Sequence, residues 1–326
     1  MSRTPPYTIT PHILDCIERI GEEIGRAEAA GVSQDLHLRR INRIRTIHGS
    51  LAIEGNILSE EQVATILDGK SVVAPLKDIQ EVRNAIRAYE RYRQWEPASE
   101  ANLLNAHEIM MAGLLDAPGR YRLGKVVVMG QDEVKHIGPP AKRVPALMAN
   151  LLAWLNETDA HPLIASSIFH YEFEFIHPFE DGNGRMGRLW QTLILTRWKA
   201  LFADVPVESL VHSHQGEYYE AIEQSSAKGD STPFISFMLG TILEAIRTPQ
   251  VSPQVSPQVE RLLSVLKGEM SRQEIQAALG LKDRKSFRRN YLLPALRSGH
   301  IEMTRPEAPN AKNQRYRLTS IGLGVE

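Results

Sequence analysis

One cysteine, Cys16, stands in the whole chain, so no disulfide can form within it, and a reducing compartment suits it. Cys16 falls in an amphipathic stretch, where a thiol serves as a small apolar side chain. Apolar runs of the ~18 residues needed to span a membrane are missing. The opening Met1-Ser-Arg-Thr-Pro-Pro6 has no apolar signal core. A cytoplasmic protein with no membrane partner is therefore expected. Excess charge of either sign is missing too. Lys and Arg number 38 against 39 Asp and Glu, so no global field points to nucleic acid or to acidic substrates. Aromatic residues make up 6%, yet hydrophobic residues reach 42%, enough for a proper core in two or three domains.

What the chain does contain is concentrated between His177 and Arg188, which reads His-Pro-Phe-Glu-Asp-Gly-Asn-Gly-Arg-Met-Gly-Arg. His177 can accept a proton near neutral pH. Asp181 is a hard oxygen ligand of the kind that holds Mg2+ shared with phosphate. Gly182-Asn183-Gly184 permits a turn that exposes consecutive N–H groups. The stretch from Arg185 to Trp198 has helical composition, which puts that turn at a helix N-terminus, where an anion is favoured. Arg185 and Arg188 are three apart, so they share one face of the first turn. Two guanidinium forks there suit a polyphosphate. Phe179 reads as a core plug. The joint pattern points to phosphate-transfer chemistry.

This run resembles the signature of the Fic family, His-x-Phe-x-Asp/Glu-Gly-Asn-Gly-Arg-x-x-Arg, at every specified position. The resemblance implies AMP transfer from ATP, with Mg2+, to a Tyr, Ser or Thr hydroxyl of a target protein. By position, His177 would be the base, and Asp181 would hold the metal. Gly182, Asn183 and Gly184 would cradle the α- and β-phosphates. Arg185 and Arg188 would grip the β- and γ-phosphates. Farther along, Glu217-Tyr-Tyr-Glu-Ala-Ile222 resembles the family's nucleoside wall, with Tyr219 flanking the base and Ile222 lining its pocket. Some members carry an asparagine seven residues after the second tyrosine. Ser226 stands there here, so adenine preference is less firmly implied than triphosphate binding.

Ser50-Leu-Ala-Ile-Glu54-Gly55 fits a second Fic signature, that of an inhibitory helix placed ahead of the core. A Glu54 carboxylate paired with Arg188 would take the guanidinium that the γ-phosphate needs. Ser50 sits one helical turn earlier on the same face.

The expected fold class is mainly α: a Fic helical core with a β-hairpin flap, followed by a winged helix-turn-helix domain. Helical periodicity runs from Pro11 to Arg247. Expected helices are Pro11 to Ala29, a second capped by Asp35 and ended by Gly55, a third opened by the capping box Ser59-Glu-Glu-Gln62, then Asp78 to Arg93, Ser99 to Leu115, Arg143 to Leu155, Pro162 to Ile176, Arg185 to Trp198, Ala221 to Ala227 and Pro233 to Arg247. The segment from Gly124 to Pro140 breaks the rule with β-branched runs around Gly130-Gln-Asp132, a hairpin signal. In the family this element is a flap that holds the target by strand addition. Lys135, His136 and Ile137 are its expected contacts.

Thr-Pro-Gln-Val, Ser-Pro-Gln-Val and Ser-Pro-Gln-Val follow one another from Thr248 to Val259. Proline at every fourth place rules out a regular helix and marks a semi-stiff linker. The expected domains are 1–98, a helical region with the inhibitory helix; 99–247, the core; 248–259, the linker; and 260–326, the winged helix. In the last, helices are expected from Val259 to Leu266, from a Ser271–Glu274 capping box to Gly280, and from Lys282 to Leu296 with a break before Pro294. Ile301 to Thr304 and Gln314 to Leu318 would be wing strands, with Pro306 to Asn313 as the tip. Residues 260–326 hold 13 Lys and Arg against 7 acids. Arg284, Lys285, Arg288 and Arg289 cluster on the third helix, which suits either a DNA-binding face or a protein-interaction module. Three readings stay open: a self-inhibited adenylyltransferase, a de-AMPylating hydrolase on the same residues, and a nucleotide-sensing, DNA-binding transcriptional regulator. A homodimer is compatible with each.

Overall fold

The computed structural model describes residues 4–29, 36–129, 134–247, 257–281, 283–297, 300–305, 311 and 314–319. It divides into two compact units, Met1–Gln250 and Val251–Glu326. The first is helical: α1 (Pro11–Ala29), α2 (Leu36–Ala52), α3 (Glu60–Leu67), α4 (Leu76–Arg91), α5 (Glu100–Met110), the hairpin β1 (Val127–Met129) and β2 (Val134–Ile137), α6 (Val144–Glu157), α7 (Pro162–Ile176), α8 (Asn183–Trp198), α9 (Val207–Ser213), α10 (Gln215–Lys228) and α11 (Thr232–Arg247). Among the described residues no helix is long and apolar enough to cross a membrane.

At the centre lies the antiparallel pair α7 and α8. Eleven of the fifteen α7 residues and eleven of the sixteen α8 residues are buried, polar ones such as His170, Arg185, Arg188 and Gln191 among them, so both are interior helices. Pro162 opens α7 at a position where a missing N–H costs nothing, with His161 capping Leu163 N. Trp190 of α8 is fully buried, stacks on Trp95 and donates its indole N–H to Pro97 O at 2.8 Å. One apolar core runs from Ile13 in α1 to Ile246 in α11, so the helices ahead of residue 99 share it with those behind.

Several boundaries differ from the sequence expectation. Helix α8 starts at Asn183, not Arg185, because Gly182 takes φ 84 and turns the chain one residue before it. Helix α5 ends at Met110 rather than Leu115, as Gly113 at φ 72 follows shortly. Helix α10 begins at Gln215, six residues before Ala221, and α9 was not expected at all. The Ser59–Gln62 capping box is present in both directions. Asp35, the hairpin turn at 130–133 and most of the proline repeat lie outside the described residues. In the hairpin, Val127 faces Ile137, Val128 faces His136, and Met129 faces Val134, so Lys135 is the extra residue of a bulge.

The second unit has the order α12 (Pro257–Val265), β3 (Met270–Ser271), α13 (Arg272–Ala278), α14 (Arg284–Phe287), a π-turn segment (Arg288–Leu292), α15 (Leu293–Arg297), β4 (Ile301–Met303) and β5 (Arg315–Leu318). Its antiparallel sheet runs β3-β5-β4 over a core that includes Leu262, Ile275, Phe287 and Tyr316. The break expected before Pro294 is the π segment. A widened turn accommodates the ring and missing N–H of proline. Helix α12 opens at Pro257, inside the span expected to be linker.

Helix α2 packs on α9 so closely that a Cβ on Gly49 would stand 2.7 Å from Glu208 O and from Ser209 Cα. Gly→Ala in a helix interior otherwise gains up to ~1 kcal/mol. Here the neighbour is backbone, and overpacking of about 1–3 kcal/mol outweighs that gain. Gly49→Ala should therefore lower the thermal midpoint. Gly240→Ala in α11, where nothing lies within 4 Å, should raise it or leave it unchanged. Equal midpoints for the two variants would contradict the close approach of α2.

Candidate active site

The loop between α7 and α8 carries the His177–Gly182 stretch. His177 is the C-cap of α7 and takes φ 49, ψ 63, the sole non-glycine residue at positive φ among the described residues. That conformation costs an ordinary side chain about 1–2 kcal/mol and persists only where the surroundings enforce it. Arg122 does so. Its guanidinium donates to Ile176 O at 3.3 Å and His177 O at 2.7 Å, and its backbone N–H donates to Pro178 O at 2.9 Å. The same fork reaches Gly124 O at 2.8 Å and Pro139 O at 2.6 Å, the two ends of the hairpin segment. One buried arginine thus braces the His177 loop and the feet of the hairpin together.

The rest of the loop closes on itself. Asn183 brackets Phe179, accepting from its N–H at 2.9 Å and donating to its carbonyl at 3.0 Å. Phe179 is fully buried and stacks on His107 with ring centroids 3.7 Å apart, the plug its residue type suggests. Gly119 N–H donates to His107 Nδ1, so the proton is on Nε2, which donates to Asp181 O at 3.0 Å. Burial pushes His107 down to about 4, which keeps it neutral. A side chain on Gly182 would strike Met111 Sδ.

Asp181 keeps half its side chain open to solvent, while its Oδ1 accepts from Gly182 N–H at 2.6 Å and from Arg185 Nη2 at 3.1 Å. Arg185 and Arg188 do not form one fork pair. Arg185 turns toward α4 and donates to Glu81 Oε1 at 3.3 Å. It is 3% exposed and is committed to Glu81 and Asp181. Glu81 in turn accepts from Asn56 Nδ2 at 2.8 Å, just past Gly55.

Arg188 turns the other way, toward the end of α2. Its Nη2 donates to Glu54 Oε1 at 2.6 Å and to Ser50 O at 2.8 Å, and its Nε donates to Ser50 Oγ at 3.2 Å. Burial works against this charge, but Glu54, Tyr218 and Glu174 together more than offset it and hold the guanidinium above its ordinary value. Arg188 Nη1 is buried with no hydrogen-bond partner. A Cβ on Gly184 would collide with Glu54 Oε1 and lie 3.0 Å from Arg188 Nη1. The carboxylate of Glu54 therefore rests directly on the first turn of α8, where free N–H groups favour an anion. The turn that carries Glu54 is fastened by Gln215 of α10, whose Nε2 donates to Ile53 O at 3.0 Å.

On α10, Tyr219 is 43% exposed, and Ile222, three residues on, is half-buried against the core. Tyr218 is buried and bonds His170 Nε2 at 3.1 Å. Ser226 accepts from Tyr171 OH at 3.3 Å. Lys135, His136 and Ile137 form the second hairpin strand, with Lys135 at the bulge.

The structure thus gathers Ser50, Glu54, Gly184 and Arg188 at one spot and Asp181 with Arg185 at another. Arg122, Glu81, His107 and Glu174 were missed. Glu174 had a signal: His170, Glu174 and His177 recur at steps of four and three in a stretch that is otherwise mostly apolar. Arg122 had none.

His107 at about 4 and His170 at about 3 both lie below the ordinary 6.5, chiefly through burial. The unfolded chain takes up these protons below pH 6.5 and the folded one does not. Their contribution to stability is present above 6.5 and lost as pH falls toward 4 and 3. Glu174, raised by burial to about 8, works in the opposite sense between 4.5 and 8. The lowered histidines, His48 and His161 included, outnumber the raised carboxyls Glu174, Asp204 and Glu208. The thermal midpoint should therefore fall on acidification below pH 6.5, and His107→Gln should flatten that slope. A midpoint that is constant down to pH 4 would contradict neutral, buried imidazoles.

Residues 97–195 match the family model described as Fic/DOC family, and residues 257–319 match the C-terminal domain of the Filamentation induced by cAMP protein Fic-like. Over 221 residues the chain is 31% identical to a protein adenylyltransferase Fic of Culex quinquefasciatus, covering 63% of this chain and 41% of that one. The chain thus spans less than half the length of that curated relative. The fold is similar to Fic-1 (aa134–508) from C. elegans, with TM-score 0.56 at 22% identity over 73% of this chain and 70% of that one. It is also similar to a crystal structure of a Fic family protein from Desulfovibrio desulfuricans G20, with TM-score 0.74 and 51% identity over 97% of this chain and 98% of that one. With near-complete coverage at that identity, the intact His177–Arg188 run and its fold place this chain in the Fic family.

Proposed function

We propose that the chain transfers AMP from ATP to a hydroxyl of a target protein and that Glu54 holds this activity off. The observation that carries the reading is the Glu54 carboxylate seated on Gly184 and paired with Arg188. The N-terminal turn of α8 already takes an anion there, and a triphosphate would compete for the same turn and the same guanidinium. Asp181, half open to solvent, suits a Mg2+ shared with phosphate oxygens, and that ion would supply charge neutralisation.

In the transfer, His177 takes the proton of the target hydroxyl as its oxygen bonds to the α-phosphorus. The bond from that phosphorus to the β-bridging oxygen breaks, and pyrophosphate leaves. The chain's contribution is positioning and charge stabilisation. Gly182, Asn183 and Gly184 offer backbone N–H groups to the phosphates, and Arg188 grips the far end. Arg185, tied to Glu81, acts by holding Asp181. Tyr219 and Ile222 suit the nucleoside. Lys135, His136 and Ile137 suit a target segment added at the hairpin edge.

The second unit supports a winged-helix reading through its order of helix, strand, two helical segments and two strands. Exposed Arg284, Lys285, Arg288 and Arg289 give it a basic face suited to DNA phosphates.

Glu54→Gly should raise incorporation of labelled AMP by about 10–100-fold, the worth of one charge-assisted contact. His177→Ala in that background should remove about 10²-fold or more and leave ATP binding within a few-fold. Equal incorporation with and without Glu54, or transfer at the parental rate without His177, would overturn the reading. Preference for UTP or CTP in a nucleotide panel would overturn the adenine assignment.

A further inference from the structure

Glu174 is the acid that the reaction described above leaves unused. It lies near the end of α7, one turn before His177. Its Oε2 stands 3.9 Å from His177 Nδ1, and its Oε1 stands 3.9 Å from His170 Nε2. The side chain is 11% exposed, and Oε1 is closed off from solvent with no hydrogen-bond partner. Space for it exists because position 187 is glycine. A Cβ there would lie 3.0 Å from Glu174 Oε1 and 2.8 Å from His170 Cδ2. Packing between α7 and α8 is thus arranged around a carboxyl that makes no bond accounting for its burial.

His170 cannot supply that bond. Its Nδ1 donates to Gln191 Oε1 at 2.7 Å, and its Nε2 accepts from Tyr218 OH at 3.1 Å. Burial pushes it down to about 3, so it carries no second proton. Among the described residues the other group within ion-pair distance is His177, through Nδ1. A bond through Nδ1 would turn Nε2 to the target.

We propose that Glu174 is a positioning residue for His177: in the working site its carboxylate accepts the imidazole Nδ1–H, fixing the ring and the tautomer so that Nε2 holds the lone pair offered to the target hydroxyl. The inference rests on the AMP-transfer reading. As the target O–H proton moves to Nε2, the hydroxyl oxygen bonds to the α-phosphorus and pyrophosphate departs. The imidazolium so formed carries the positive charge beside Glu174, until Nε2 returns the proton to solvent. The separation of 3.9 Å closes by side-chain rotation, as contacts of this kind tighten in the occupied site.

The groups facing Glu174 set when it is ionised. Burial pushes its carboxyl up to about 8, Arg188 of α8 pulls it down, and Glu54 at the end of α2 pushes it up. His170 on its own helix stays neutral, and Tyr218 and Tyr219 of α10 are held in the phenol form by burial. Before a phosphate takes its place, removing Glu54 takes away one push and leaves the pull of Arg188. The carboxylate form is therefore more populated in the unbraked, nucleotide-free protein than in the parent.

The test compares the Glu54→Gly protein with a Glu54→Gly, Glu174→Gln protein, both carrying 15N-labelled histidine. Long-range proton–nitrogen NMR follows each imidazole against pH, and AMP incorporation is measured against pH and ATP. With Glu174 present, His177 should hold its proton on Nδ1 and titrate about one unit higher than with Gln. Its shift should carry a second inflection from Glu174 itself, which needs no change at position 174. Glu174→Gln should lower kcat about tenfold near neutral pH with the ATP KM unchanged within about twofold. Unchanged His170 resonances report an intact fold. Identical His177 tautomer and titration in the two proteins, a single inflection, or a higher KM at constant kcat would each overturn the assignment. If neither protein transfers AMP, the transfer reading fails, and the imidazole titration still decides the role of Glu174.

Discussion

A guanidinium that is 2% exposed cannot stand without an anion, and everything around Arg188 follows from that. Desolvating a charge costs several kcal/mol unless a close partner and well-placed hydrogen bonds offset it. Glu54 is that partner, at 2.6 Å, and the two oxygens of Ser50 accept from the guanidinium as well, while Nη1 stays without a hydrogen bond. Losing Glu54 without replacement leaves a buried charge uncompensated. Losing it to a phosphate does not. Under the proposed function the pocket is therefore a place where one anion is exchanged for another, with the carboxylate on Gly184 in the second anion's seat.

This exchange depends on elements far apart in the chain. Helix α2 brings Ser50 and Glu54. Its approach to α9 at Gly49, the bond from Gln215 to Ile53 O and the Asn56–Glu81–Arg185 chain fix where its end lies. On the other side, Arg122 fixes His177 and the feet of the hairpin with one side chain. Two buried arginines thus do opposite work. Among the described residues Arg122 bonds only to carbonyls and holds a conformation in place, whereas Arg188 bonds to a carboxylate, which under the proposed function a phosphate displaces.

Much of this was legible in the residues. Spacing placed Pro162–Ile176 correctly to the residue, and Ser59 and Ser271 cap the helices their boxes announced. The break before Pro294 followed from the missing N–H of proline. The Ser50–Glu54–Arg188 cluster was readable because Ser50-Leu-Ala-Ile-Glu54-Gly55 resembles the family's inhibitory-helix signature, and helical spacing puts Ser50 and Glu54 on one face. The divergence of Arg185 from Arg188 was not. A step of three residues puts both near one face, yet Glu81, 104 positions away, draws Arg185 aside. Arg122 and Glu81 act through contacts with no local pattern, and helix α9 is too short for periodicity to declare it.

The most direct test of anion exchange at Arg188 is calorimetry of magnesium-ATP binding to the parent and to the Glu54→Gly protein. Exchange predicts tighter binding in the variant, by about 10-fold or more, since a charge-assisted contact no longer has to be broken. Equal affinity in the two proteins, or no nucleotide uptake once Glu54 is gone, would contradict it.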